Sequence, residues 1–204
     1  MRTGILGGTF NPPHLGHLHA AELAHRALNL DRVLFIPTNI PPHKALPENT
    51  ASAEDRCEMV RRLTAEKTWA MLDTIEIDRG GASYTVDTVE ALSPLADRIL
   101  VYCGTDMLLT LDGWHDAARL MRAAEFVCMQ REGDARLHDA ILHKIAALQN
   151  TYGARITLIP DVPFEVSSSE IRARAARGET IEPFVPHGVA DYIAAHELYK
   201  HADT

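Results

Sequence analysis

Arg32-Val-Leu-Phe-Ile-Pro37, RVLFIP (residues 32–37), carries four consecutive apolar residues and ends in a proline. A strand wet on one face alternates apolar with polar. This run does not alternate, so both of its faces are covered, as in a parallel sheet packed between helices. Proline cannot donate to a strand ladder, and it closes the run. Two more runs repeat the pattern: RILVYC (98–103), ended by Gly104, and EFVCMQ (125–130). Shorter strand candidates lie at 3–7 and 155–159, with a weak one at Ile75 to Ile77 before Gly80-Gly81.

Helical spacing fills the intervals. Leu15, Leu18, Leu23, Ala27 and Leu30 recur at turns of a helix over 16–30, and Met59, Val60 and Leu63 mark a helix over 53–67. Further helices are expected at 85–92, opened by Ser83 or Thr85, at 137–148, at 170–177 closed by Gly178, and at 189–198. Alternating strands and helices give an α/β fold: a doubly wound, Rossmann-like parallel sheet with helices on both faces. The whole chain, 1–204, reads as one domain with a small helical part at about 169–204. Ligands in such folds bind outside the carboxyl ends of the strands, here Gly7-Gly8, Pro37-Thr38, Gly104-Thr105 and Val166-Ser167.

Composition narrows the function. The 204 residues are 46% apolar and 24% charged, enough for a core without disulfides. A net charge of −8 disfavours nucleic acid, which needs a basic face, yet leaves room for one locally positive pocket. Three cysteines at distant positions, Cys57, Cys103 and Cys128, point to a reducing cytoplasm. No run reaches the ~18 apolar residues of a membrane span. Homo-oligomerisation is left open.

GGTFNPPHLGHLH (7–19) concentrates the chemistry. Gly7 and Gly8 let the backbone approach a ligand. Pro12 and Pro13 stiffen the loop ahead of His14. Gly16 then opens a helix whose free N–H groups suit phosphate. His14 and His17, three apart, can share one face and donate ring N–H bonds to anionic oxygens. A metal at His14, His17 and His19 is the competing idea. A full ligand set usually needs a further Cys, Asp or Glu nearby, and no metal site is assigned. Ordinary surface histidines are the other reading, in a chain that has eleven.

Gly8-Thr9-Phe10-Asn11-Pro12-Pro13-His14-Leu15-Gly16-His17 resembles the first signature of the HIGH-type nucleotidyltransferase superfamily, and Ser167-Ser168-Ser169-Glu170-Ile171-Arg172 resembles its second, about 150 residues later. Four further segments resemble bacterial nicotinate-nucleotide adenylyltransferases: PTNIPPHK (37–44), SYTVDT (83–88), GTDML (104–108) with Leu111 and Trp114, and Val185-Pro186 through Leu198-Tyr199. The resemblance implies transfer of AMP from ATP to nicotinate mononucleotide, giving deamido-NAD and pyrophosphate in NAD biosynthesis.

It also implies roles. His14, His17 and Arg172 would be catalytic. Gly8, Thr9, Phe10, Gly104 and Asp106 would bind ATP, joined by Arg131, Ser167 and Ser168. Asn39, His43, Lys44, Tyr84, Thr85, Trp114 and His115 would bind nicotinate mononucleotide, Thr85 and His115 through their main-chain N–H groups. The side chains suit these roles. Lys44 and His43 follow a rigid Pro-Pro and can grip a phosphate, while the Trp114 indole can stack on an electron-poor pyridine. Ordinary packing is the other reading of Trp114 and Tyr84, and an N-cap that of Asp106. Mg²⁺ would arrive with ATP.

Three alternatives stand beside this one. A pantetheine-phosphate adenylyltransferase would lack the Pro-Pro-His-Lys loop and the Trp114 segment. A non-catalytic nucleotide sensor would not need both histidines and Arg172. A class I aminoacyl-tRNA synthetase fragment would carry a Lys-Met-Ser-Lys-Ser loop and a basic face. Preference for the acid over the amide mononucleotide stays open.

Overall fold

The computed structural model describes residues 1–42, 45–47, 49–131, 135–161 and 166–200. Six strands form one sheet in the order β3-β2-β1-β4-β5-β6. They are β1 (Arg2–Gly8), β2 (Arg32–Pro37), β3 (Ala70–Leu72), β4 (Arg98–Gly104), β5 (Glu125–Arg131) and β6 (Arg155–Asp161). This is the doubly wound order, and the sheet is parallel with helices around it. The helices are α1 (Leu15–Leu28), α2 (Ala53–Thr64), α3 (Ile75–Arg79), α4 (Thr85–Leu92), α5 (Thr105–Leu109), α6 (Ala117–Ala123), α7 (Ala135–Tyr152), α8 (Ser168–Ala176) and α9 (His187–Ala195). Among the described residues no helix is long and apolar enough to cross a membrane.

Contacts group the chain into two compact units. The first holds Met1–Leu6, Glu22–Leu34 and Tyr84–Pro163. Its centre is the apolar strand pair β4 and β5, where Ile99, Leu100, Val101, Phe126, Val127 and Cys128 are buried. Gly4 explains the glycine inside β1: a Cβ there would stand 2.9 Å from Leu30 Cδ1 and 3.2 Å from the Tyr102 ring. The second unit holds Gly7–Ala21, Phe35–Ser83 and Phe164–Thr204. Here α2 turns Met59, Val60 and Leu63 into the core, and packs against α9. Ser52 caps α2: its Oγ accepts the Asp55 N–H at 3.0 Å and donates to the Asp55 carboxylate at 2.8 Å. All three cysteines are free and buried.

Two local expectations are corrected. Ile75 to Ile77 is helix α3, not a strand, and the strand role falls to Ala70–Leu72. The Ile-x-Ile alternation suggested period two, but Asp73 Oδ1 accepts the Ile75 N–H at 3.0 Å, an Asx turn that leads into a helix whose N-cap is Thr74. Helix α4 starts after Tyr84, which supplies no side-chain cap. Ser83 does not cap it because its Oγ accepts the Asn39 N–H at 2.9 Å.

Candidate active site

Strand β1 ends at Gly8, and the chain turns through Phe10, which holds φ +51° without being glycine. Such a backbone costs on the order of 1 kcal/mol. Burying the Phe10 ring returns about 2 kcal/mol: the ring is fully enclosed, 5.9 Å from Phe35 and edge-on to His17 at 5.1 Å. The turn therefore puts an apolar floor under His17.

His14 stands just before α1, and its carbonyl accepts the His17 and Leu18 N–H groups at 2.9 and 3.3 Å. The His14 N–H donates to His17 Nδ1 at 3.1 Å. This is half of a capping box, with imidazole in place of a carboxylate. Because Nδ1 accepts, the proton of a neutral His17 sits on Nε2, leaving that nitrogen a donor. The two rings lie 3.7 Å apart at 34°. Gly16 permits this closeness, since a Cβ there would meet His14 Nδ1 at 3.0 Å. Burial lowers the His14 pKa to about 4. Burial, then the charge of His14, holds His17 well below the usual histidine range. Both rings are neutral at pH 7 and offer N–H groups rather than full charges.

The second signature fastens onto this loop. Ser167 caps α8, its Oγ accepting the Glu170 N–H at 3.1 Å. Ser168 Oγ donates to the Pro12 carbonyl at 2.8 Å. Arg172 Nη1 donates to the Asn11 carbonyl at 2.7 Å, and its Nη2 to Ser169 Oγ at 3.2 Å. Segments far apart in sequence thus place two imidazoles, a guanidinium and a helix N-terminus on one loop. Donors of this kind suit a polyphosphate.

Sequence reasoning missed three residues of this unit. Arg56, 2% exposed, donates from Nη1 to the carbonyls of Thr9 at 2.9 Å and Thr38 at 2.7 Å, and from Nε to that of Ala51 at 3.3 Å. It ties the loop after β1 to the loop after β2. Burial holds its pKa below the usual arginine value. Its signal was present, because Arg56 falls three and four residues before Met59 and Val60, on the apolar face of α2. Asn11 and Tyr199 are the other two, and no spacing reveals their pairing across the chain.

The remaining candidates are placed as follows. Asn39 Nδ2 donates to the Gly81 carbonyl at 3.0 Å, and the Ser83 N–H reaches the Ile40 carbonyl at 2.9 Å, so the loop after β2 is clamped to the Gly80-Gly81 turn. His43 and Lys44 lie outside the described residues. In the first unit, Tyr84 and His115 stack at 4.0 Å and 25°. Thr85 is the first residue of α4. Trp114 is half-buried and follows a single tight turn at Leu111–Gly113. Asp116, at φ +49°, occupies the N-cap position of α6 without a side-chain cap bond, and the His115 ring lies 3.9 Å from its carboxylate. Gly104, not Asp106, is the N-cap of α5, and Asp106 is exposed in its first turn. Arg131 is the last residue of β5. Among the described residues no three His, Cys, Asp or Glu side chains are grouped to hold a metal.

Comparison with known proteins converges with this geometry. The family model described as Cytidylyltransferase-like matches residues 5–174. A chain of Dehalococcoides mccartyi named "Probable nicotinate-nucleotide adenylyltransferase" is 37% identical over 203 residues, covering 98% of this chain and 97% of that one. Its namesake in Geobacter metallireducens is 35% identical over 221 residues, covering 98% and 99%. Among solved structures, the Plasmodium falciparum nicotinic acid mononucleotide adenylyltransferase complexed with NaAD shares the fold, with a TM-score of 0.74 at 16% identity and 98% coverage of each chain. The chain belongs to the cytidylyltransferase-like proteins and, among them, to the nicotinate-nucleotide adenylyltransferase family.

Proposed function

We propose that the chain transfers AMP from ATP to nicotinate mononucleotide, giving nicotinate adenine dinucleotide and pyrophosphate in NAD biosynthesis. One observation carries the chemistry: the His14–His17 pair and the Ser168–Arg172 segment are hydrogen-bonded into a single loop assembly. The names of the relatives supply the substrates.

The nucleophile is a phosphate oxygen of the mononucleotide, ionised near neutral pH, so no general base is needed. It attacks the α-phosphorus of ATP in line, a P–O bond forms, and the bond to the β-phosphate oxygen breaks with pyrophosphate leaving. The protein's task is alignment and neutralisation of developing charge. His17 Nε2 donates to an α-phosphate oxygen, and His14 stands beside it. Ser167, Ser168, Arg172 and the N-terminus of α8 take the departing β- and γ-phosphates. Gly8 and Thr9 line the nucleotide, with the enclosed Phe10 ring as their support, and Gly104, Asp106 and Arg131 are its further contacts. Mg²⁺ enters with ATP as part of the substrate. Asn39, His43 and Lys44 take the mononucleotide phosphate; Tyr84, Thr85, Trp114 and His115 take the nicotinate. We read residues 1–204 as one nucleotidyltransferase domain ending in a helical part, in a cytoplasmic setting that suits three free cysteines.

Pyrophosphate release from ATP with nicotinate mononucleotide, set against nicotinamide mononucleotide, tests the reading. Release is expected with the acid and weaker turnover with the amide; no release with either ends the proposal. His17→Ala is expected to lower kcat at least ~100-fold, the scale of losing one transition-state donor, and near-normal turnover removes the role.

A further inference from the structure

We propose that Tyr199 is a positioning residue that acts through Asn11 to fix the histidine loop. The phenol Oη donates to Asn11 Oδ1 at 2.8 Å, across 188 positions of sequence. Tyr199 is 6% exposed and holds φ +64°, a left-handed backbone that a tyrosine adopts only when its surroundings over-determine it. Burial pushes its pKa up, so the hydroxyl stays a donor wherever the protein is folded.

Asn11 is the hub that this bond steadies. Its Oδ1 accepts twice, from Tyr199 and from the Ala51 N–H at 3.1 Å, and its main-chain carbonyl accepts Arg172 Nη1 at 2.7 Å. It is 3% exposed, and its Nδ2 is buried with no hydrogen-bond partner among the described residues. An unpaired buried N–H costs stability. Asn11 is therefore held for its oxygens, and those oxygens aim the loop. The side-chain oxygen, pinned from two sides, sets the orientation of the peptide that offers one carbonyl to Arg172. The next carbonyl, that of Pro12, meets Ser168. Two residues on, the His14 N–H selects which nitrogen of His17 accepts. Loss of the Tyr199 hydroxyl leaves Oδ1 with the Ala51 N–H alone, and the loop keeps its fold but loses its aim.

The activity readout rests on the function proposed above, so a ligand-free measurement accompanies it. In Tyr199→Phe, kcat is expected to fall about tenfold with both KM values within about twofold, because a small misalignment affects the transition state more than binding. Long-range ¹⁵N NMR of the ligand-free variant should show His17 leaving its single tautomer. Asn11→Ala also orphans the Ala51 N–H, so the double variant should lose clearly less than the sum of the two single variants if Tyr199 and Asn11 act as one unit. Turnover within twofold of wild type together with an unchanged His17 tautomer overturns the proposal, as do fully additive effects. Should Tyr199→Phe not fold, Asn11→Ser removes the same bond from the other side and gives the same readouts. Absence of pyrophosphate release by the wild type would sink the reaction, while the tautomer measurement would still decide the role of Tyr199.

Discussion

Arg56 and Arg119 each hold a loop that carries candidate ligand residues, and they do it by opposite means. Arg56 is buried and gives its N–H groups to three main-chain carbonyls around the histidine loop. Arg119 is 49% exposed in its side chain and pairs with Glu90 and Asp116, next to His115. Buried bonds to backbone fix a loop in one geometry. Surface ion pairs are screened and leave it adjustable. The difference fits the two tasks proposed. Triphosphate chemistry needs donors already in place, whereas a flat pyridine ring can be met by aromatic side chains that close on it.

Breaking the buried anchor should have the largest effect. Arg56→Met strips partners from the carbonyls of Thr9, Thr38 and Ala51 at once. The expected loss is about 2–3 kcal/mol in urea unfolding, since each orphaned buried or half-buried carbonyl costs on the order of 1 kcal/mol. Lysine cannot restore it, lacking the planar fork. A loss under 1 kcal/mol would remove the anchor from the account.

The histidine pair gives a pH test of the same loop. His14 has a folded pKa of about 4 against an ordinary value of 6.5. Above pH 6.5 it is neutral in both states and its burial costs nothing in protons. Between 6.5 and about 4 the unfolded chain binds a proton that the folded chain refuses, so stability falls as pH falls. The loss from His14 reaches about 3 kcal/mol below pH 4. His17 is shifted in the same direction. Carboxylates held low by their partners, such as Glu125 beside Arg98, begin to act only near their ordinary value of 4.5, at the lower end of this window. Unfolding curves from pH 7 to 4.5 should therefore flatten in His14→Gln, and an identical slope in that variant would count against a buried neutral pair.

The sheet and the histidine loop were legible in sequence for a physical reason. Unbroken apolar runs such as RVLFIP and RILVYC have one stable placement, and Gly-Pro-Pro-His spacing has few. The short segments were not legible. At Ile75 an Asx turn from Asp73 outweighed the alternation, and at Ser83 a bond to Asn39 took the oxygen that would have capped α4. The Tyr199–Asn11 pair joins the two ends of the chain, and no local pattern encodes a single hydrogen bond over that separation.

On the adjustable side, Trp114→Ala should weaken nicotinate mononucleotide about tenfold in KM, the scale of one lost aromatic stack. The KM for ATP should stay within about threefold. A variant that lost ATP affinity alone would exchange the two subsites and with them the contrast between a fixed and an adjustable region.

The smallest effect is expected at Arg119. Its partners Glu90 and Asp116 are exposed, and the Glu90 carboxyl is held below the usual range by the Arg119 hydrogen bonds. Solvent and salt weaken such pairs, so Arg119→Ala should lower Tm by less than about 3 °C at low salt. In 1 M salt, where screening acts within about 3 Å, the difference should vanish. Turnover with saturating substrates should be unchanged, because the ring stack of Tyr84 on His115 does not include the guanidinium. If Arg119→Ala instead matched Arg56→Met in stability and lost its salt dependence, the surface pairs would be acting as a rigid brace. The nicotinate side would then have to be treated as preformed.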